Sequence, residues 1–121
     1  MADIDITAQA LSVRLTRREK VAGLLRDLAV PITSVTSVTV EDDGLRAVRG
    51  LRAPGLALPR RLKIGTWRRR GGRSMVVVRA GVPTLRVALE GERYDELLLS
   101  DPDARELAAE LRRGAAAPTL R

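Results

Sequence analysis

The stretch "IGTWRRRGGRSMVVV", Ile64–Val78, sets four arginines and two glycines between two apolar runs. A Gly-Gly pair accepts positive φ at both central positions of a type I′ turn, so Gly71 and Gly72 predict a tight hairpin. Its strands run over Leu62–Arg69 and Ser74–Ala80. In that register Arg70 faces Arg73, Arg69 faces Ser74, Arg68 faces Met75 and Trp67 faces Val76. Like charges directly opposed across a strand pair repel, so the tip either stands in solvent or holds an anion. The returning strand is apolar on both faces, Met75 and Val77 on one and Val76 and Val78 on the other. A strand with one face in water does not have this pattern. Its second face needs a cover, from the Asp42–Arg61 segment or from another subunit.

Working outward, "DIDITAQALSVRL" alternates apolar and polar residues over Ile4–Thr7 and Leu11–Leu15, which predicts two short strands joined at Ala8–Ala10. "TRRE" then carries a capping box, the Thr16 hydroxyl answering Glu19 three residues on. Val21, Leu24, Leu25 and Leu28 fall on one helical face, and Pro31 stops that helix. "ITSVTSVTVE" predicts a strand over Ile32–Glu41, with a bulge near Ser37 to bring Val35 into phase with Val38 and Val40. From Asp42 to Arg61, Gly44, Gly50, Gly55, Pro54 and Pro59 break the pattern. A turn of helix capped by Asp43, using Leu45 and Val48, opens that segment, and the rest reads as a crossover loop. Thr84–Glu90 alternates with Leu85, Val87 and Leu89 inward, and Tyr94–Leu99 makes the last strand. Asp101 and Pro102 open a closing helix whose stripe is Ala104, Leu107, Ala108 and Leu111, and Gly114 ends it.

The count is seven strands, a short helix after the second and a C-terminal helix. The expected fold class is therefore mainly β, a bent antiparallel barrel or sandwich capped by that last helix. Residues 1–114 form one domain and 115–121 a flexible tail. A chain of 121 residues suits a single core, which must come from Val, Leu, Ile and Ala, since there is no Phe, one Trp and one Tyr. That shortage disfavours stacking of bases as a binding mode.

Composition also excludes chemistries. With no Cys and no His there is no disulfide framework, no thiolate nucleophile, no cysteine-based metal site, and neither the commonest general base nor the commonest zinc ligand. "EDDGLRAVRG" lacks the alternating oxygen ligands of a calcium loop. Asp95 and Glu96 are neighbours on a strand and point to opposite faces. No serine stands in a nucleophile elbow, and no glycine-rich loop carries a phosphate-binding lysine. The expectation is a non-enzymatic protein with no metal and no cofactor. "MADIDITAQ" lacks the basic and apolar segments of a secretory signal, and no apolar run approaches the ~20 residues of a membrane span. A cytoplasmic location is the default expectation.

Charge is segregated. The net charge is +7, yet twelve of the 22 basic residues and none of the 15 acids lie between Gly44 and Leu89. A positive segment of this kind attracts acidic partners. Arg outnumbers Lys twenty to two, as a GC-rich genome would produce without any binding role.

"LTRREKVAGLLRDLAVPITSVTSVTVEDD", "RGLRAPG" at Arg49–Gly55, "IGTWRRRGGR" at Ile64–Arg73 and "LEGERYDELLLSDPDARELAAELR" together resemble small actinobacterial proteins with a bacterial pleckstrin-homology-like fold. The resemblance covers roughly Ile4 to Arg112 and rests on hydrophobic spacing, Gly and Pro. It implies a seven-stranded, strongly bent antiparallel barrel plugged by a C-terminal helix. It supplies no ligand: eukaryotic pleckstrin-homology domains that hold inositol phosphates use basic residues in the loop between their first two strands, and Ala8–Ala10 carries no charge.

Two candidate surfaces emerge. Arg68, Arg69, Arg70 and Arg73, with Arg60, Arg61 and Lys63, form a candidate anion clamp for nucleic acid or acidic lipid headgroups. Trp67, Met75, Val76, Val77 and Val78 form a candidate interface to a protein partner or a second copy. The expected function is a binding or scaffolding domain that acts through surface contact and self-associates, with anion binding through residues 44–89 as the alternative.

Overall fold

The computed structural model describes residues 2–116. The alternating N-terminal pattern gives β1 (Asp3–Ile6) and β2 (Ala10–Arg14), an antiparallel hairpin with Leu11 and Val13 fully buried. The capping box is present: Thr16 Oγ1 accepts from the Glu19 amide at 3.2 Å, and the Thr16 amide donates to Glu19 Oε1 at 2.9 Å. The helix it starts, α1 (Arg17–Gly23), is shorter than its leucines predict. Leu24 adopts a left-handed backbone (φ 51°) and ends it, and Leu28–Pro31 forms a strand, β3, on β2. Sheet pairing there outweighs the 3.6-residue spacing of Leu24, Leu25 and Leu28, and Val21 and Leu24 are left exposed.

A single 3-10 turn (Ile32–Ser34) leads into β4 (Val35–Glu41), whose register shifts between Val35 and Ser37 as the expected bulge requires. After α2 (Gly44–Ala47), capped by Asp43, comes the main departure from expectation. Leu51–Leu58 is a strand, β5, where Gly and Pro predict loop. It is an edge strand, and its register with β6 (Leu62–Arg69) shifts between Arg52 and Gly55; an edge and a bulge are both positions that tolerate a proline such as Pro54. Gly55 and Gly65 oppose each other at that bend, with φ of 146° and 151°. A β-carbon on either would lie within 2.9 Å of the other's Cα, so glycine is required on both strands.

The remaining elements are β7 (Gly72–Arg79), β8 (Thr84–Leu89), β9 (Glu96–Ser100) and α3 (Ala104–Ala116). There are thus nine strands among the described residues, not seven, in sheets ordered β1-β2-β3 and β4-β8-β9-β7-β6-β5. One pairing is parallel, β7 with β9, because the last strand inserts between its two predecessors. The architecture is a mainly β sandwich with a C-terminal helix and a short helix after the second strand; the sheets do not close into a barrel. α3 runs through Gly114 instead of ending there, burying Ala104, Ala108 and Leu111. Its Arg112 donates from Nη2 to the Val38 carbonyl at 2.9 Å, covering the backbone of edge strand β4. Of the expected tail, Ala115 and Ala116 belong to α3, and 117–121 lie outside the described residues.

Two cores flank the large sheet. Met75, Val77, Leu85, Val87, Leu97 and Leu99 face the small sheet and α3, while Trp67, Val76, Val78 and Leu98 face Leu45, Ala47, Val48 and Ala57. The Asp42–Arg61 segment is therefore the cover that the two-sided apolar strand demands. Fully burying each Val or Met of Met75–Val78 contributes roughly 1.5–3 kcal/mol.

Candidate functional site

The β6–β7 hairpin turns one residue earlier than Gly71-Gly72 predicts. Arg70 and Gly71 form the turn, so Arg69 faces Gly72, Arg68 faces Arg73 and Trp67 faces Ser74. Gly71 takes the positive φ, 87°. Gly72 is needed for a different reason: a β-carbon there would overlap the Asp95 carboxylate. That carboxylate accepts from the Arg73 amide at 3.0 Å, and the Asp95 amide donates to the Arg73 carbonyl at 2.8 Å, which pins the hairpin base to the start of β9.

The tip and the first residues of β5 enclose a groove of about 580 Å³ lined by Gly50, Leu51, Arg52, Arg68, Arg69 and Arg70. Four guanidinium groups and no carboxylate line it. Arg69 Nε is enclosed, with no hydrogen-bond partner among the described residues. An enclosed donor left unmatched costs about 1–3 kcal/mol, which a bound anion would recover. Opposed Arg68 and Arg73 repel in the same region.

The seven cations expected to form one clamp do not converge. Arg68, Arg69 and Arg70 share the groove, and Arg73 stands across from Arg68 without lining it. Arg60 and Lys63 line a separate cleft at the other end of β6, ~20 Å away at a strand's rise per residue. Arg61 sits in the β5–β6 turn, where its amide donates to the Leu58 carbonyl and its carbonyl accepts from the Ala80 amide. Sequence reasoning missed Leu51 and Arg52, because their strand reads as loop.

The five residues expected to form an interface are enclosed within the chain. Met75, Val76, Val77 and Val78 are fully buried and Trp67 is 4% exposed, so they offer no surface to a partner. Tyr94 is buried as well. The exposed large apolar residues among the described residues lie elsewhere, at Val21, Leu24, Leu51 and Leu58. Leu51, 80% exposed, lines the groove; Val21, 76% exposed, lies beside Arg17 and Arg18; Leu24, 70% exposed, shares a cavity with Arg26, Arg93 and the carboxylate of Asp27. α1 rests on β5 and β6, and Leu51 points to the face of the sheet that α1 covers, the face of Ile64.

On the opposite face, Glu96 accepts from Arg86 Nε at 2.6 Å and from Ser74 Oγ at 2.9 Å, and Glu41 lies 3.5 Å from the same guanidinium. Burial works against the Arg86 charge, but Glu96 and then Glu41 more than offset it and hold its pKa above the ordinary value. These carboxylates are committed to an ion pair inside the sheet. No cluster of potential metal ligands occurs among the described residues.

The chain matches no protein-family profile, no curated protein and no solved structure.

Proposed function

We propose that the chain is a non-enzymatic binding domain that docks on an anionic lipid surface, at the cytoplasmic side of a membrane, through the hairpin groove. The observation that carries this reading is the groove itself, with Arg52, Arg68, Arg69 and Arg70 around it and no carboxylate in its lining. Each cation held near an anionic leaflet contributes about 1 kcal/mol, so the four together suffice for reversible docking. Exposed Leu51 and Val21, each set among arginines, favour lipid over nucleic acid, because apolar side chains beside cations enter the headgroup boundary. Buried Trp67 and Tyr94 provide no platform for stacked bases. Among the described residues no helix is long and apolar enough to cross a membrane, so attachment would be peripheral. Self-association drew its support from the second apolar face of β7, and the chain covers that face itself.

The test compares binding to phosphatidylglycerol vesicles and to a short DNA duplex at equal phosphate. Wild type is expected to prefer vesicles, with Leu51→Asn weakening that interaction alone. Preference for the duplex, or binding to neither, overturns the reading.

A further inference from the structure

At the far end of β6 a cleft of about 770 Å³ opens between the start of α2, the β5–β6 turn and the β7–β8 turn. We infer that this cleft binds a small phosphomonoester dianion, at a site separate from the hairpin groove.

The charge count sets the ligand class. Arg46, Arg60, Lys63 and Arg79 line the cleft against Asp42 and Asp43, leaving two positive charges in excess. Pairing then shows which cations are uncommitted. Asp42 is held by Arg105 at 2.6 Å, Asp43 lies 3.7 Å from Arg46, and Arg79 lies 3.8 Å from Glu19. Among the described residues, no carboxylate pairs with Arg60 or Lys63, which also line the cleft. Lys63 Nζ gives one hydrogen to the Leu45 carbonyl at 3.2 Å, which fixes the ammonium against the wall with two donors still available. Two cations, one of them held in place, match a doubly charged phosphoryl group, and Arg recognises such a group with paired N–H donors.

Arg60 supplies an independent observation. It holds φ 63°, one of two non-glycine residues with positive φ among the described residues. Glycine would fit this turn without strain, whereas a side chain there costs about 1–2 kcal/mol. Strained backbone of this kind clusters at ligand clamps, and unlike Leu24, whose conformation ends α1, Arg60 closes no helix. The cleft also exceeds the volume of a phosphate ion, and Leu45, Pro59 and Ala80 supply apolar wall for the rest of a small organic phosphate.

The test is calorimetric titration of the full chain with ribose 5-phosphate and with inorganic phosphate, using ribose as the uncharged control. Wild type is expected to bind ribose 5-phosphate saturably, more tightly than phosphate, and to ignore ribose. Arg60→Gly with Lys63→Met should weaken binding at least about tenfold. Arg60→Gly alone should raise the melting temperature while weakening binding, a combination that a merely structural arginine would not produce. Arg69→Glu with Arg70→Glu should leave the affinity unchanged, which separates this site from the lipid-docking groove. Absence of saturable binding by wild type, wild-type affinity in the Arg60/Lys63 variant, or equal loss in the hairpin variant overturns the inference.

Discussion

Gly71 and Gly72 are identical in sequence and opposite in requirement. Gly71 needs its backbone conformation but has open space around it, whereas Gly72 needs the space. Gly71→Ala is expected to cost about 1 kcal/mol and Gly72→Ala more than about 2 kcal/mol, because the second must expel Asp95 from its bond to the Arg73 amide. Urea unfolding of the two variants measures this, and equal losses would refute the assignment. Glu96 is a second discriminating residue. Replacing it with Ala leaves part-buried Arg86 with Glu41 alone and takes the acceptor from Ser74 Oγ, and equilibrium denaturation should register a loss of about 2–3 kcal/mol. At this scale much was legible: the Thr16–Glu19 box, the Asp43 cap, the bulge near Ser37 and the inward Leu85, Val87 and Leu89 each follow from local spacing.

Elements were less legible where neighbours decide. The helix after β2 stops at Gly23 because the next residues gain more by pairing with β2 than by extending a helix, and no local signal separates those outcomes. β5 reads as loop because Pro54 and Gly55 interrupt it, yet an edge strand needs ladder bonds on one side only. The β7–β9 pairing joins strands that are not consecutive, and sequence order does not specify it. The loop closing α1 carries a pH prediction. Asp27 accepts from the Leu15 amide at 2.8 Å, which holds its carboxyl below the ordinary aspartate range; burial opposes this, and Lys20 at 3.4 Å assists. The lower folded pKa means its stabilisation is complete above the unfolded value and disappears as pH falls through the folded one. Asp27→Asn should melt below wild type near neutrality, and the two curves should converge below about pH 4. Parallel pH profiles would contradict the assignment.

At the scale of the molecule, the charge segregation visible in the sequence becomes a geometric division. The acid-free segment builds α2, β5, β6, β7 and β8, and cations from it line a groove at one end of β6 and a cleft at the other. Which arginines share a site depended on hairpin register and on β5 being a strand, so the sequence identified Arg68–Arg70 but not Leu51 or Arg52. The apolar signal in Met75–Val78 was strong, and its meaning rested on whether α2 and the segment behind it reach across the sheet, which they do. With those residues enclosed, the large apolar side chains left exposed among the described residues are Val21, Leu24, Leu51 and Leu58. The most direct measurement is cosedimentation with phosphatidylglycerol vesicles at ~50 and ~200 mM salt, for wild type and for Arg68→Glu/Arg69→Glu/Arg70→Glu. Wild type should bind at low salt and weaken as salt rises, and the triple variant, still folded by circular dichroism, should bind at least about 100-fold less. Equal binding by the two proteins at low salt would contradict the account.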